Sequence, residues 1–292
     1  MNNRPAASAV GSQMNQFALT AQRLSSMKKV TVNGITLAVH DEGSGPPILF
    51  VHGFPLSHSM WRPQLEAFAP DHRVIAPDLR GFGESDVTEG TVTMEQHADD
   101  LAAMLDELNV NEPVVFCGLS MGGYIAWQFQ QKYPNRLRAL ILCDTRAISD
   151  TPEGVENRRR LAKMVIENGS AAVASVMLPN LFSPATADRD QSAIDELRQT
   201  IAATSPQGIA AASLGMAERP DVTSLLPNIE TPAQLIVGED DGISPPEEMR
   251  SIATAMPNAA IFEVPNAGHM SPLENPVAIN LVIQQFLRDL PS

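Results

Sequence analysis

Cysteine is scarce in this chain. Cys117 and Cys143 are the only two among 292 residues, and each closes an apolar, strand-like run, "PVVFCG" and "LRALILCD". They read as reduced, buried thiols, which excludes a small fold framed by disulfides. Positive charge is also in short supply: 20 Lys and Arg stand against 34 Asp and Glu, a formal net charge of −14. So acidic a chain repels nucleic-acid phosphate and anionic lipid headgroups, and neither is expected as a partner. No apolar run approaches the roughly 18 residues of a membrane-spanning helix. There is no continuous hydrophobic region of the kind a secretory signal needs, so a cytoplasmic location is expected. No internal repeat is visible. The first 29 residues hold no acidic residue and are rich in Ala, Ser, Asn and Gln. Residues 1–27 are expected to form a disordered tail, with the folded part beginning near "KKVTVNG".

What is present is enough apolar material, 43% of residues, for a large core. "KVTVNGITLAVHDEG" alternates apolar and polar about Asn33-Gly34, a hairpin pattern. "PPILFVHG" and "HRVIAPDLRG" are short, wholly apolar runs, as strands covered on both faces require. Between them "SMWRPQLEAFA" suits a helix. Met94, Ala98, Leu101, Leu105 and Leu108 lie on one helical face. Strand "PVVFCG", a helix over 121–132 and strand "LRALILCD" follow. Alternation of this kind predicts an α/β fold, a mostly parallel, doubly wound sheet of about eight strands whose first hairpin is antiparallel. The rhythm lapses after the sixth strand. From 146 to 228 there are helical segments divided by prolines, and then strand–helix alternation resumes. The expected organisation is a core domain of 28–145 and 229–292 with a helical cap of 146–228.

The chemistry begins at Gly118-Leu119-Ser120-Met121-Gly122, where a strand turns into a helix. A serine hydroxyl is a weak nucleophile without a base to take its proton. A sharp turn would raise Ser120 above the sheet rim, and Gly118 and Gly122 would leave room for the crowded backbone. The base is expected at His269 in "PNAGHMSP", because an imidazole accepts and returns a proton near neutral pH. An acid must orient that ring. Asp241 in "LIVGEDDGISP" is the first choice, with Asp240 and Asp144 as alternatives. The oxyanion that forms on attack needs two N–H donors: the amide of Met121, after the nucleophile, and that of Phe54 in "VHGFP". The chain order Ser120, Asp241, His269 fits one hydrolase architecture and neither the chymotrypsin nor the subtilisin order.

Taken together, "VHGFP", "DLRGFGES", "GLSMGG", "GEDDGISP" and "AGHM" resemble the landmarks of the α/β-hydrolase fold superfamily, in order, over about Val30 to Leu290. The resemblance is to its serine-nucleophile branch of carboxylesterases, 3-oxoadipate enol-lactonases and non-haem haloperoxidase-like esterases. It implies that Asp78, Arg80, Gly81, Gly83 and Ser85 form a structural loop beside the site. Ser120 stands where epoxide hydrolases and haloalkane dehalogenases carry Asp, which argues against both. The expected activity is hydrolysis of small, mostly neutral carboxylic esters through an acyl-enzyme, with no metal and no organic cofactor. An enol-lactonase, a carbon–carbon bond hydrolase with the same trio, and a ligand receptor with little turnover are the alternatives. A monomer or homodimer is expected. Met177, Leu181 and Phe182 are candidates for an apolar substrate cleft. Arg146, just past "LILCD", either meets a substrate carboxylate or is paired with a nearby acid.

Overall fold

The computed structural model of the chain describes residues 27–291. The expected tail therefore lies outside the described residues, except for its last member. Met27 opens the first strand and pairs with His40. Strands β1 (Met27–Val32) and β2 (Ile35–Glu42) form the hairpin. Asn33 and Gly34 both take positive φ, 46° and 79°, the conformation a two-residue turn of this hand demands. Then come β3 (Pro47–Val51), helix α1 (Arg62–Phe68), β4 (Arg73–Pro77), α2 (Met94–Glu107), β5 (Val114–Leu119), α3 (Met121–Lys132) and β6 (Leu137–Cys143). α2 starts where the Thr93 hydroxyl accepts from the Gln96 N–H, an N-cap contact that satisfies an otherwise free donor.

Between β6 and β7 lie five helices: α4 (Pro152–Asn168), α5 (Ser170–Met177), α6 (Pro184–Arg189), α7 (Gln191–Ala203) and α8 (Pro206–Ala217). α4 packs on α8 and α5 on α7. The chain then returns through β7 (Ala233–Gly238), α9 (Pro246–Ala255), β8 (Ala259–Val264), α10 (Ser271–Glu274) and α11 (Pro276–Asp289).

The eight strands form one sheet in the order β1-β2-β4-β3-β5-β6-β7-β8. β1, β2 and β4 pair antiparallel, and every pairing from β4 through β3 to β8 is parallel. β3, β5 and β7 are buried at every residue, which is why β3 and β5 carry no polar side chain and β7 only Gln234. α2 packs on α3, and α1 on α11, so helices flank the sheet. The parallel strands all end at one rim, where sheets of this kind place their binding sites. Ser120, Phe54, Asp144, Asp241 and His269 each follow a strand at that rim.

Candidate active site

Ser120 joins β5 to α3 with φ 51° and ψ −109°, backbone geometry that a non-glycine residue holds only when its surroundings impose it. The imposing contacts are visible. Its N–H donates to the Cys143 carbonyl at 2.9 Å, and its carbonyl accepts from Thr145 Oγ1 at 2.8 Å. The flanking glycines are needed for space. A Cβ at Gly118 would lie 2.6 Å from the Gly122 carbonyl group, and one at Gly122 would lie 2.3 Å from the Val51 carbonyl oxygen. Ser120 itself is partly exposed.

His269 and Asp241, both buried, meet across the loops that follow β8 and β7. Nδ1 of His269 lies 2.9 Å from Asp241 Oδ2. The other oxygen, Oδ1, accepts from the N–H groups of Ile243 at 2.8 Å and Ser244 at 3.0 Å. The carboxylate is thus fixed from behind, and one oxygen is left to orient the ring. The two alternative acids do not take this place. Asp240 lies at the surface. Asp144 is fully buried but accepts from Gly238 N–H at 2.9 Å and from the Ser271 hydroxyl. Burial pushes the Asp144 carboxyl well above the usual carboxylate range, and the nearby Asp241 adds to the rise. Among the described residues, no hydrogen bond joins the Ser120 hydroxyl to His269. In ligand-free sites such bonds are commonly long and tighten only around substrate.

The loop after β3 is held by His52, which is buried completely. Its Nε2 accepts from Leu79 N–H at 3.0 Å, so Nδ1 carries the proton and donates to the Gly53 carbonyl at 2.9 Å. Burial drives this imidazole's pKa down to about 4, so it is neutral at physiological pH. Phe54 follows, with a cis bond to Pro55. Among the described residues, neither the Phe54 nor the Met121 N–H donates to a backbone acceptor. The "DLRGFGES" segment is tied both within itself and to neighbouring segments. Asp78 accepts from the N–H groups of His58 and Glu84, and Arg80 forms a buried two-pronged pair with Asp100 at 2.8 Å.

A cleft of about 490 Å³ runs between the insert and the Asp241 loop, lined among others by Val176, Met177, Phe182, Asp240 and Ile243. Of the four candidate substrate contacts, Met177 and Phe182 line this cleft and Leu181 and Arg146 do not. Leu181 is buried, and its carbonyl accepts from Met270 N–H. Arg146 borders a separate small niche with Tyr124 and Trp127, and its guanidinium is engaged by Glu248 at 2.7 and 2.5 Å. The pairing alternative for Arg146 is the one observed. Sequence reasoning missed Glu274, a buried carboxylate that accepts from the backbone on either side of His269; its one signal was an acid in the short "SPLE" turn. Among the described residues, no group of three or more His, Cys, Asp or Glu is arranged to hold a metal ion. No helix among them is long and apolar enough to cross a membrane.

An eight-stranded, mostly parallel sheet with a strained serine at the β5–α3 junction defines an α/β hydrolase. The model of the alpha/beta hydrolase family matches residues 48–280, and the chain belongs to that family. It is 46% identical to a thermophilic esterase from Thermogutta terrifontis whose structure was solved with malate bound. That match covers 91% of this chain and 100% of the other, with a TM-score of 0.88. It is similar to 3-oxoadipate enol-lactonase 1 of Acinetobacter baylyi, 30% identical over 88% of this chain and 95% of the relative. The enol-lactonase structure from Burkholderia xenovorans superposes with a TM-score of 0.84 at 28% identity, over 90% of this chain and 100% of that one.

Proposed function

We propose that the chain is a serine esterase acting on small, largely neutral carboxylic esters. The observation that carries the reading is the contact of His269 Nδ1 with a buried Asp241 whose second oxygen is already committed. That arrangement puts a proton on Nδ1 and leaves Nε2 as the free base. Ser120 Oγ attacks the ester carbonyl as His269 takes its proton. The N–H groups of Phe54 and Met121 receive the oxyanion; one such donor is worth about 3–4 kcal/mol of barrier. His269 then protonates the leaving alcohol and activates the water that releases the acid. The segment 146–228 acts as a cap that shapes the cleft. One feature supports neutral substrates: Arg146, the cation expected to meet a substrate carboxylate, is already paired with Glu248.

The likeness to two enol-lactonases favours a second reading, opening of a lactone ring by the same acyl transfer. Turnover of short p-nitrophenyl esters, of neutral lactones and of a carboxylate-bearing enol-lactone separates the two. The expected order of kcat/KM is neutral ester first and anionic lactone last; the reverse order overturns the esterase reading. Treatment with a fluorophosphonate and peptide mapping should yield one adduct, on Ser120. A protein that neither turns over nor labels is instead a ligand-binding member of the fold.

A further inference from the structure

His269 stands on the loop between β8 and α10, a segment without regular structure. Something outside that loop must hold the imidazole in place. Glu274, five residues further on and 5% exposed, ends the short helix α10. Its Oε1 accepts from Gly268 N–H at 2.8 Å and Met270 N–H at 3.2 Å, the two neighbours of His269. Its Oε2 accepts from Ser183 N–H at 2.8 Å, and Ser183 belongs to the helical insert. The same two segments are joined again from Met270 N–H to the Leu181 carbonyl at 3.0 Å, and from Ser183 Oγ to the Asn266 carbonyl at 3.0 Å. They also touch: a Cβ at Gly268 would lie 2.7 Å from the Ser183 nitrogen and 2.8 Å from the Phe182 carbonyl carbon.

We infer that Glu274 is a positioning residue: its carboxylate clamps the backbone on both sides of His269 to the main chain of the insert, so that the seating of Leu181–Ser183 sets where the imidazole stands. The inference rests on the serine-hydrolase reading above for the importance of His269, and the clamp itself is a matter of geometry. Phe182 lines the cleft and directly precedes the N–H that Glu274 accepts. A ligand pressing on Phe182 therefore acts on the carboxylate, and through it on the histidine loop. One carboxylate supplies acceptor oxygens to all three N–H groups. An amide of the same shape cannot, because one of its two ends is itself a donor.

The test is Glu274→Gln, assayed with p-nitrophenyl butyrate alongside its thermal midpoint. A folded variant is expected to lose about a hundredfold in kcat, the cost of a small misplacement of a reacting group, with KM little changed. A folded variant whose kcat stays within about threefold of the parent, or whose loss lies in KM alone, overturns the clamp. If the variant does not fold, amide exchange followed by NMR in the parent protein decides. The N–H groups of Ser183, Gly268 and Met270 are expected to exchange at a common rate and to slow together once Ser120 is phosphonylated. Three unrelated rates overturn the proposal. A parent protein without turnover or a Ser120 adduct refutes the hydrolase reading, and the common rate in the unmodified protein still judges the clamp.

Discussion

The sharpest consequence of the site geometry concerns a single atom exchange, Asp241→Asn. Oδ1 of Asp241 faces two N–H donors, Ile243 at 2.8 Å and Ser244 at 3.0 Å, and Oδ2 faces His269 Nδ1 at 2.9 Å. An asparagine keeps its carbonyl oxygen toward the two donors, which leaves its NH2 against Nδ1. The ring must then accept at Nδ1 and carry its proton on Nε2, where it cannot take a proton from Ser120. Restoring the working tautomer by turning the amide over would set an NH2 against two N–H groups. Each buried donor left unmatched costs about 1–3 kcal/mol, so two cost about 2–6 kcal/mol. At 1.36 kcal/mol per decade, kcat is expected to fall between about 30-fold and about 3 × 10⁴-fold, a range that includes the roughly 10⁴-fold cost of the same tautomer trap in serine-protease triads. The assay is steady-state hydrolysis of p-nitrophenyl butyrate at pH 8, with circular dichroism and the thermal midpoint as checks on folding. Asp144→Asn is the control. It alters an acid that accepts from Gly238 N–H and the Ser271 hydroxyl while Asp241 faces His269, and should cost far less. A folded Asp241→Asn enzyme within about tenfold of the parent, or a larger loss in Asp144→Asn, would refute the assignment of the acid.

Gly122→Ala should destabilise the chain by about 1–3 kcal/mol, the usual cost of overpacking, because its Cβ would stand 2.3 Å from the Val51 carbonyl oxygen; urea denaturation checks this, and an unchanged midpoint contradicts it. His97 is fully buried, with neither ring nitrogen hydrogen-bonded among the described residues. Burial, with help from His52 and Arg80, lowers its pKa to about 3, and burial lowers that of His52 to about 4. Unfolded imidazoles take up protons as pH falls below about 6.5, while these two do not until pH 4 and 3. Their share of stability is therefore complete above pH 6.5 and drains away as pH falls from there toward 4, at about 1.4 kcal/mol per pH unit for each ring. His97→Leu should remove one ring's share of the slope between pH 6 and 5 in urea unfolding; an unaltered slope counts against the reasoning. Arg146→Ala breaks a partly exposed ion pair with Glu248, worth about 0–1 kcal/mol, and should leave kcat/KM for neutral esters nearly as it was. A selective loss on an anionic lactone would return Arg146 to the substrate site.

Much of the architecture could be read from local pattern because local pattern decides it. β3 must be apolar throughout since both of its faces are covered, and Asn33-Gly34 turns because few other pairs accept two positive φ values. Helix α8 is a different case. Its sequence, "PQGIAAASLGMA", carries two glycines and no polar face, so periodicity gives no sign of it. Packing explains the glycines: a Cβ at Gly208 would fall 1.9 Å from the Gly81 carbonyl oxygen, and one at Gly215 1.8 Å from that of Val92. Tertiary contact forms this helix and forbids better helix formers at those two positions. The six residues of α6 are too few to show a period at all. At the candidate site, Ser120, Asp241 and His269 could be singled out because each is the chemical residue in a turn that follows a strand, and the contact of His269 with Asp241 is the one observed. The cleft was legible only in part. Leu181 and Phe182 are adjacent, apolar and equally eligible, and only the fold turns the first inward and the second to the cleft. Arg146 finds its partner 102 residues away, a separation about which composition and spacing are silent.

Two carboxyls at one rim raise the question of why the structure uses one against the histidine and not the other. β6 and β7 are parallel neighbours, so Asp144 after β6 and Asp241 in the turn after β7 face the same region, and each penalises charge on its neighbour. Their hydrogen-bond partners separate them. Asp241 receives two backbone N–H groups and the imidazole. Asp144 receives one backbone N–H and one hydroxyl at complete burial, and its pKa rises well above the carboxylate range. Asp144 makes its hydrogen bonds to Gly238 and Ser271, and the carboxylate that meets His269 Nδ1 is that of Asp241. Asp144 thereby ties Gly238, at the end of β7, to Ser271, at the start of α10. The acid that does not touch the histidine thus spans the two loops whose spacing brings Asp241 and His269 together.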